Sequence, residues 1–270
     1  MHPIERLRYV ARARGVDAES LVVETAGALR GLGLDPSELV VSCRRILERH
    51  PSSGPLWWLC ARVLTAAEPA ASLRDSVEAM GDDRTARRLA ASLPEGAVVV
   101  VAGYPELAAE GLARRGDVQV LAVDADFAGS AMSRRLERAD VDFELVPTHA
   151  AALAVAQADA VLIEALALDG VTALTPIGSA IVAAAGRMHG VPVELVAGRG
   201  RRLPEAMMVA VLERTVARLG IGDAEVETVP MSVIAGVHGP DGAVVRSADG
   251  ALAVVAECDV APELLRASPL

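Results

Sequence analysis

Residues 161–204 read VLIEALALDGVTALTPIGSAIVAAAGRMHGVPVELVAGRGRRLP. Val161-Leu162-Ile163 is a short apolar run with an acidic residue, Glu164, at its C-terminal end. A loop containing Asp169-Gly170 follows. Pro176-Ile177-Gly178-Ser179 then opens an alanine-rich helix, and Val191 to Val196 is the next strand. This order of strand, loop, helix and strand is one βαβ unit of a parallel sheet. In such sheets ligands bind beyond the C-terminal strand ends, against helix N-termini.

Upstream, the chain changes period near residues 92–96 (SLPEG). Before that point apolar residues recur at helical spacing. Helices are predicted over 2–14, from Asp17 and Glu19 onward, from Asp35-Pro36 to Arg49, from Gly54-Pro55, and over 70–91 as one element. After it, short β-rich runs alternate with helices. Strands are predicted at 97–101, 118–123, 143–146, 160–163, 193–196 and 225–229, with helices at 105–115, 130–138 and 148–157. One more strand is predicted in ADGALAVVAECDV, after the Gly239-Pro240-Asp241-Gly242 turn. The fold class expected is α/β: an N-terminal helical bundle over 1–92, then a Rossmann-like, mainly parallel sheet flanked by helices over 93–270.

Composition narrows the function classes. The chain has 270 residues, 52% of them hydrophobic and only 2% aromatic, so its core is built from Ala, Val and Leu. Every basic residue is arginine, and the net charge is −10. That balance argues against nucleic-acid or membrane-surface partners, which need a basic face. Cys43, Cys60 and Cys258 are widely spaced with no CxxC and read as reduced thiols. The opening MHPIERLRYVARARG carries charges throughout and does not read as a signal peptide, and no apolar run is long enough for a membrane span. The expected location is cytoplasmic.

Five segments in order carry a resemblance. HPSSGPLWWL, VVVVAGYPELAAEGL, VQVLAVDADFAGSAMSRRLERADVDFELVP, the 159–198 region around PIGSAIVAAAG, and VETVPMSVIAGVHGPDG together resemble the translation initiation factor 2B alpha/beta/delta family. That family also includes the methylthioribose-1-phosphate and ribose-1,5-bisphosphate isomerases. The resemblance implies a helical bundle joined to a Rossmann-like sheet, a two-fold homodimer, and a pocket for a phosphorylated small molecule. It also exposes departures. Gly103 falls where the isomerases carry a catalytic Cys, and Tyr104 matches the Ala-Tyr of the non-catalytic initiation-factor subunits. The isomerases' Arg-Pro after the second strand is missing from VDADFAG, where Asp124 and Gly129 stay in register. Glu164 occupies the region of their catalytic Asp.

The candidate site residues follow from strand ends and helix starts. Glu164 and Tyr104 are the candidate acid/base groups, the alternatives being an interface ion pair for Glu164 and a structural role for Tyr104, since an ordinary tyrosine titrates near 10 and is a poor base at neutral pH. Gly103, Asp124, Gly178, Ser179, Arg199 and Arg201 are candidate ligand or phosphate contacts. Gly178-Ser179 offers backbone N–H groups at a helix start, and the alternative is simple capping. Arg199, Arg201 and Arg202 form either a phosphate clamp or a solvated charged loop. Residues 198–200 lack the third glycine of a dinucleotide fingerprint. No metal-ligand spacing and no cofactor motif is present; His149 follows the third strand, where a ligand contact is the minor reading, and His50, His189 and His238 sit at element ends and read as solvated. Of Trp57 and Trp58, one reads as core and the other as a contact between domains or subunits.

Three functions stay open. One is an initiation factor 2B-like protein that binds a sugar phosphate or nucleotide in a regulatory, non-catalytic role. Another is a divergent aldose-ketose sugar-phosphate isomerase with a rebuilt acid/base set. The last is a structural subunit with a relic pocket.

Overall fold

The structure, a computed structural model, describes residues 17–125, 129–218, 220, 224–247 and 250–266. The helix predicted over 2–14 lies outside the described residues. Among the described residues five helices precede the first strand: α1 (Ala18–Gly31), α2 (Pro36–Arg49), α3 (Gly54–Thr65), α4 (Pro69–Gly81) and α5 (Thr85–Ser92). Two start at aspartates that accept backbone N–H groups. Asp17 accepts from Ser20 at 2.7 Å, and Asp35 accepts from Ser37 and Glu38. The helix predicted over 70–91 is broken in two. At the break the Asp83 carboxylate takes both the N–H and the hydroxyl of Thr85, 2.8 and 2.6 Å away. A short acidic side chain that bonds its own backbone competes with helix continuation.

The sheet strands are β1 (Val98–Ala102), β2 (Gln119–Asp124), β3 (Asp142–Pro147), β4 (Ala160–Glu164), β7 (Val193–Val196), β9 (Gly236–Gly239) and β10 (Gly242–Val245), in spatial order β10-β9-β7-β4-β1-β2-β3. All neighbours pair parallel except β9 with β10. Helices α6 (Glu106–Arg115) and α7 (Gly129–Arg138) cover one face with α5, while α8 (Ala151–Val155) and α9 (Ser179–His189) cover the other. Alternate residues of each central strand serve the two faces. Val99 and Val101 meet Leu89 and Leu112, whereas Val100 and Ala102 meet Val182 and Ala183. Strands buried on both sides need continuous apolar runs, which is what VVVVA and AVLI supply.

Three expectations change at the sheet's margins. The predicted loop after Glu164 holds two short strands, β5 (Ala167–Leu168) and β6 (Thr172–Pro176). Asp169 turns the chain between them by accepting the N–H groups of Val171 and Thr172. The strand predicted at 225–229 forms as β8 (Val226–Pro230), but it pairs antiparallel with β6 in a separate three-stranded sheet. The last strand is β10, immediately after the tight turn, and the described residues of 250–260 form no strand. There the chain is held instead by single bonds such as Glu257 N–H to the Arg202 carbonyl.

Both tryptophans are fully buried, which leaves neither as an exposed contact for a second subunit, while Trp58 does pack against residues from beyond position 93, at Gly200 and Glu257. Helix α10 (Glu205–Arg214) and the tail cover the second flank of α3, contributing Met207, Met208, Val211 and Leu264 to the helical core. Trp57 donates to the Pro51 carbonyl and Trp58 to that of Glu257. The helical core therefore draws on residues from both sides of position 93. His189 and His149 are exposed, but His238 on β9 is partly covered, 3.4 Å from Glu194. Among the described residues no helix is long and apolar enough to cross a membrane.

Helix α3 touches the sheet through Gly54. Its N–H donates to the Leu166 carbonyl at 3.0 Å, and a Cβ there would collide with that oxygen and lie 3.2 Å from Arg201 Cα. Gly54→Ala is expected to lower the unfolding free energy by about 1–3 kcal/mol through overpacking against rigid backbone. A urea melt with an unchanged midpoint would contradict this contact.

Candidate ligand-binding site

Strand order reverses between β1 and β4, the position where open α/β sheets form their crevice. Gly103 ends β1 with a positive φ of 62° and donates its N–H to the Val123 carbonyl at 2.9 Å. This turn places Tyr104, half-buried, at the crevice mouth. Gly178 has φ 93°, and a Cβ there would overlap the Ala125 side chain. So Gly103, Asp124 and Gly178 do meet at the ends of β1 and β2. Ser179 is buried. The N-terminus of α9 already holds an anion, because Ala180 N–H donates to the Glu227 carboxylate at 2.8 Å.

Glu164 ends β4 and is buried. Its Oε2 accepts the N–H groups of Leu107 and Ala108, at 2.8 and 3.3 Å, in the first turn of α6. Its Oε1 accepts from Arg201 Nη1 at 2.6 Å, and the same nitrogen donates to the Ala165 carbonyl. Three of the roughly four acceptor sites of the carboxylate are in use. Glu164 thus fastens a helix start and an arginine to the strand end.

The loop over 198–202 is similarly engaged. Arg199 reaches Asp241 and Glu257, and its N–H donates to Asp83 at 2.7 Å. Arg202 pairs with the same Asp241 and Glu257, and Glu257 also accepts the N–H groups of Gly200 and Arg202. Arg199 foremost, then Arg202, holds the Asp241 carboxyl below its ordinary value against a smaller opposing effect of burial.

What remains open is a cleft between the sheet edge and the helical layer. One part, about 380 Å³, is lined by Tyr104, Glu106, Glu164, Pro176, Arg201 and the Ser52-Ser53 turn. An adjoining part of about 420 Å³ shares Glu106 and Arg201 and is walled by Arg87, Arg114, Arg135 and Arg199. Arg114 is paired with Glu110. Arg135 has a buried Nε with no hydrogen-bond partner. Arg87 and Arg135 form no ion pair with another described residue.

The sequence reading missed Glu106 and Arg135. Glu106 follows Pro105 at the first position of α6, where an acidic residue is ordinary helix chemistry. In the cleft its carboxyl is pushed above the usual carboxylate range by burial first and then by Glu164. Arg201 opposes that shift, Asp17 adds to it, and a backbone bond from Ala18 again opposes it. Among the described residues no group of three His, Cys, Asp or Glu gathers as a metal site.

No protein-family model matches the sequence, and no curated protein matches it. Solved structures match by fold. Translation initiation factor eIF-2B of Pyrococcus horikoshii OT3 aligns with TM-score 0.76 over 92% of this chain and 98% of that one, at 16% identity. A chain of the tetrameric eIF2B-beta2-delta2 complex from C. thermophilum gives 0.70 over 89% of each, at 14% identity. The 5-methylthioribose 1-phosphate isomerase of P. horikoshii OT3 gives 0.65 over 90% of this chain and 84% of that one, also at 14%. The chain has the fold that initiation factor 2B subunits share with this isomerase.

A raised carboxyl in the folded state contributes stability below the ordinary carboxylate range and loses it as pH rises through the raised value. Glu106→Gln removes that loss. Relative to the parent, the variant should gain thermal stability as pH rises above the ordinary carboxylate range, about pH 4. A melting-temperature difference that stays constant as pH rises from that range to neutrality would contradict the assignment.

Proposed function

We propose that this chain, built on the fold of initiation factor 2B subunits and methylthioribose-1-phosphate isomerase, binds a small phosphorylated molecule without turning it over. The observation that carries the reading is the arginine-walled cleft at the sheet's reversal point. It is large enough for a sugar phosphate or nucleotide. Arg87 and Arg135 stand on its wall and form no ion pair with another described residue, so their guanidinium groups can give charge-assisted bonds to a phosphate oxygen. The anion position moves accordingly, from the α9 start and Arg199 toward Arg87 and Arg135, while Gly103, Tyr104, Asp124, Gly178 and Ser179 shape the neighbouring crevice. Tyr104 offers the ligand body an aromatic surface and a hydroxyl.

Gly103 has no side chain to transfer a proton, and Glu164 is committed to Arg201 and α6. Both favour a sensing or regulatory role. The second reading, a divergent sugar-phosphate isomerase, is favoured by Glu106, whose raised carboxyl faces the cleft as an acid/base group would. We also propose a homodimer. Ile181 and Met188, seven residues apart on α9, and Leu153 on the adjoining α8 are exposed apolar residues that a second copy would cover.

A thermal-shift panel of ribose phosphates, nucleoside monophosphates and inorganic phosphate tests the reading. At least one ligand should bind, and Arg135→Ala should weaken it about tenfold, the equivalent of one charge-assisted bond. Failure of every phosphorylated ligand at millimolar concentration would contradict the proposal. Turnover of a bound sugar phosphate at about 1 per second or faster would replace it with the isomerase.

A further inference from the structure

Glu106 belongs to both parts of the cleft and lies between two further carboxylates, Glu164 at the end of β4 and Asp17 before α1. An ionised Glu106 would repel an incoming anion at the same wall that must receive it. The neighbouring cations offset this only in part, Arg201 the most of them. Arg201, from the 198–202 loop, is neutralised by Glu164. Arg199 is neutralised by Asp241 and Glu257, and Arg114, on α6 itself, by Glu110. From the remaining elements, the start of α1 adds Glu19, the α4–α5 break and α5 add Asp83 and Arg87, and α7 adds Arg135. Asp83 is turned toward Thr85 and the Arg199 N–H. Tyr104 completes the rim.

Resting on the reading of the cleft as an anion site, we propose that Glu106 meets the ligand as a neutral carboxylic acid. It donates its proton in a hydrogen bond to an oxyanion oxygen, so that each anion enters together with one proton. The ligand is held from one side by Arg87 and Arg135 and from the other by the Glu106 O–H. Burial and the flanking carboxylates already favour the protonated form. The bound anion adds a further negative charge and strengthens that preference. The covalent balance is simple: no bond of the ligand breaks, and the complex carries one more proton than free protein and free ligand together at pH values where free Glu106 is ionised. The site would thereby select anions that offer an acceptor oxygen on both sides, and its occupancy would fall as pH rises.

Sulfate is the suitable probe, because it does not itself titrate near neutrality. Isothermal titration of the whole chain with sulfate, from about pH 5 to about pH 8 and in two buffers of different ionisation enthalpy, reads both affinity and proton uptake. The expected result is uptake of one proton per sulfate at the alkaline end, with affinity falling about tenfold per pH unit there. Glu106→Gln keeps an N–H donor and should bind sulfate with an affinity that varies less than about twofold over the same range. Sulfate binding with no proton uptake, or a Glu106→Gln variant that keeps the parent's slope, would overturn this inference while leaving the anion site standing. If neither sulfate nor any phosphorylated ligand binds at any pH, the anion site falls, and this inference falls with it.

Discussion

Glu164 and Arg201 are both about 5% exposed, and their charged atoms stand 2.6 Å apart. Removing two charges from water costs several kcal/mol per ion, which their attraction offsets only when the remaining donors and acceptors are satisfied. Here most are. Glu164 takes the first free N–H groups of α6, and Arg201 gives a second bond to the Ala165 carbonyl. The pair thus joins the end of a central strand, the start of a flanking helix and the loop after β7. That loop in turn lies against α3, where Gly54 permits near contact with the Arg201 backbone. The helical layer, the sheet edge and the cleft between them all take their positions from this pair.

The same solution recurs around the sheet edge. An acidic chain has supplied its own carboxylates to the places where an α/β protein ordinarily receives an external anion. Glu164 fills the α6 start and Glu227 the α9 start. Asp83, Asp241 and Glu257 fill the arginine-rich loop. Helix starts and arginines are good anion hosts whatever the source of the anion. What distinguishes this cleft is the pair of cations at Arg87 and Arg135, which form no ion pair with another described residue, beside a carboxyl that burial holds toward its neutral form.

The parallel sheet and the helices before it were legible because their signals are local: valine runs, aspartates at helix starts, prolines at first turns. The crevice was legible because strand ends and helix starts bear a fixed relation in such sheets. The break after Gly81 was legible but overlooked: Gly81-Asp82-Asp83 marks it, and the apolar positions Ala86, Leu89 and Ala90 are out of phase with Leu73, Val77 and Met80. The hairpin after Glu164 was hidden because a two-residue strand has no periodicity to read. The role of the candidate residues was hidden for a different reason. Arg201 and Glu164 lie 37 residues apart, and Ala180 and Glu227 lie 47 apart. Whether an arginine awaits a ligand or is already paired depends on such distant partners, and no local pattern records them. Glu106 was overlooked because its special property comes from Glu164, Asp17 and burial rather than from its own surroundings in sequence.

The buried pair is tested most directly by a double-mutant cycle on unfolding free energy with Glu164→Gln, Arg201→Met and their combination. Each single change strands a buried charge, so Arg201→Met alone should cost about 3–5 kcal/mol. The double variant should be more stable than the sum of the singles predicts, with a coupling of about 2–3 kcal/mol. Single effects that add to within about 0.5 kcal/mol would mean that the two side chains do not hold the helical layer to the sheet as a unit.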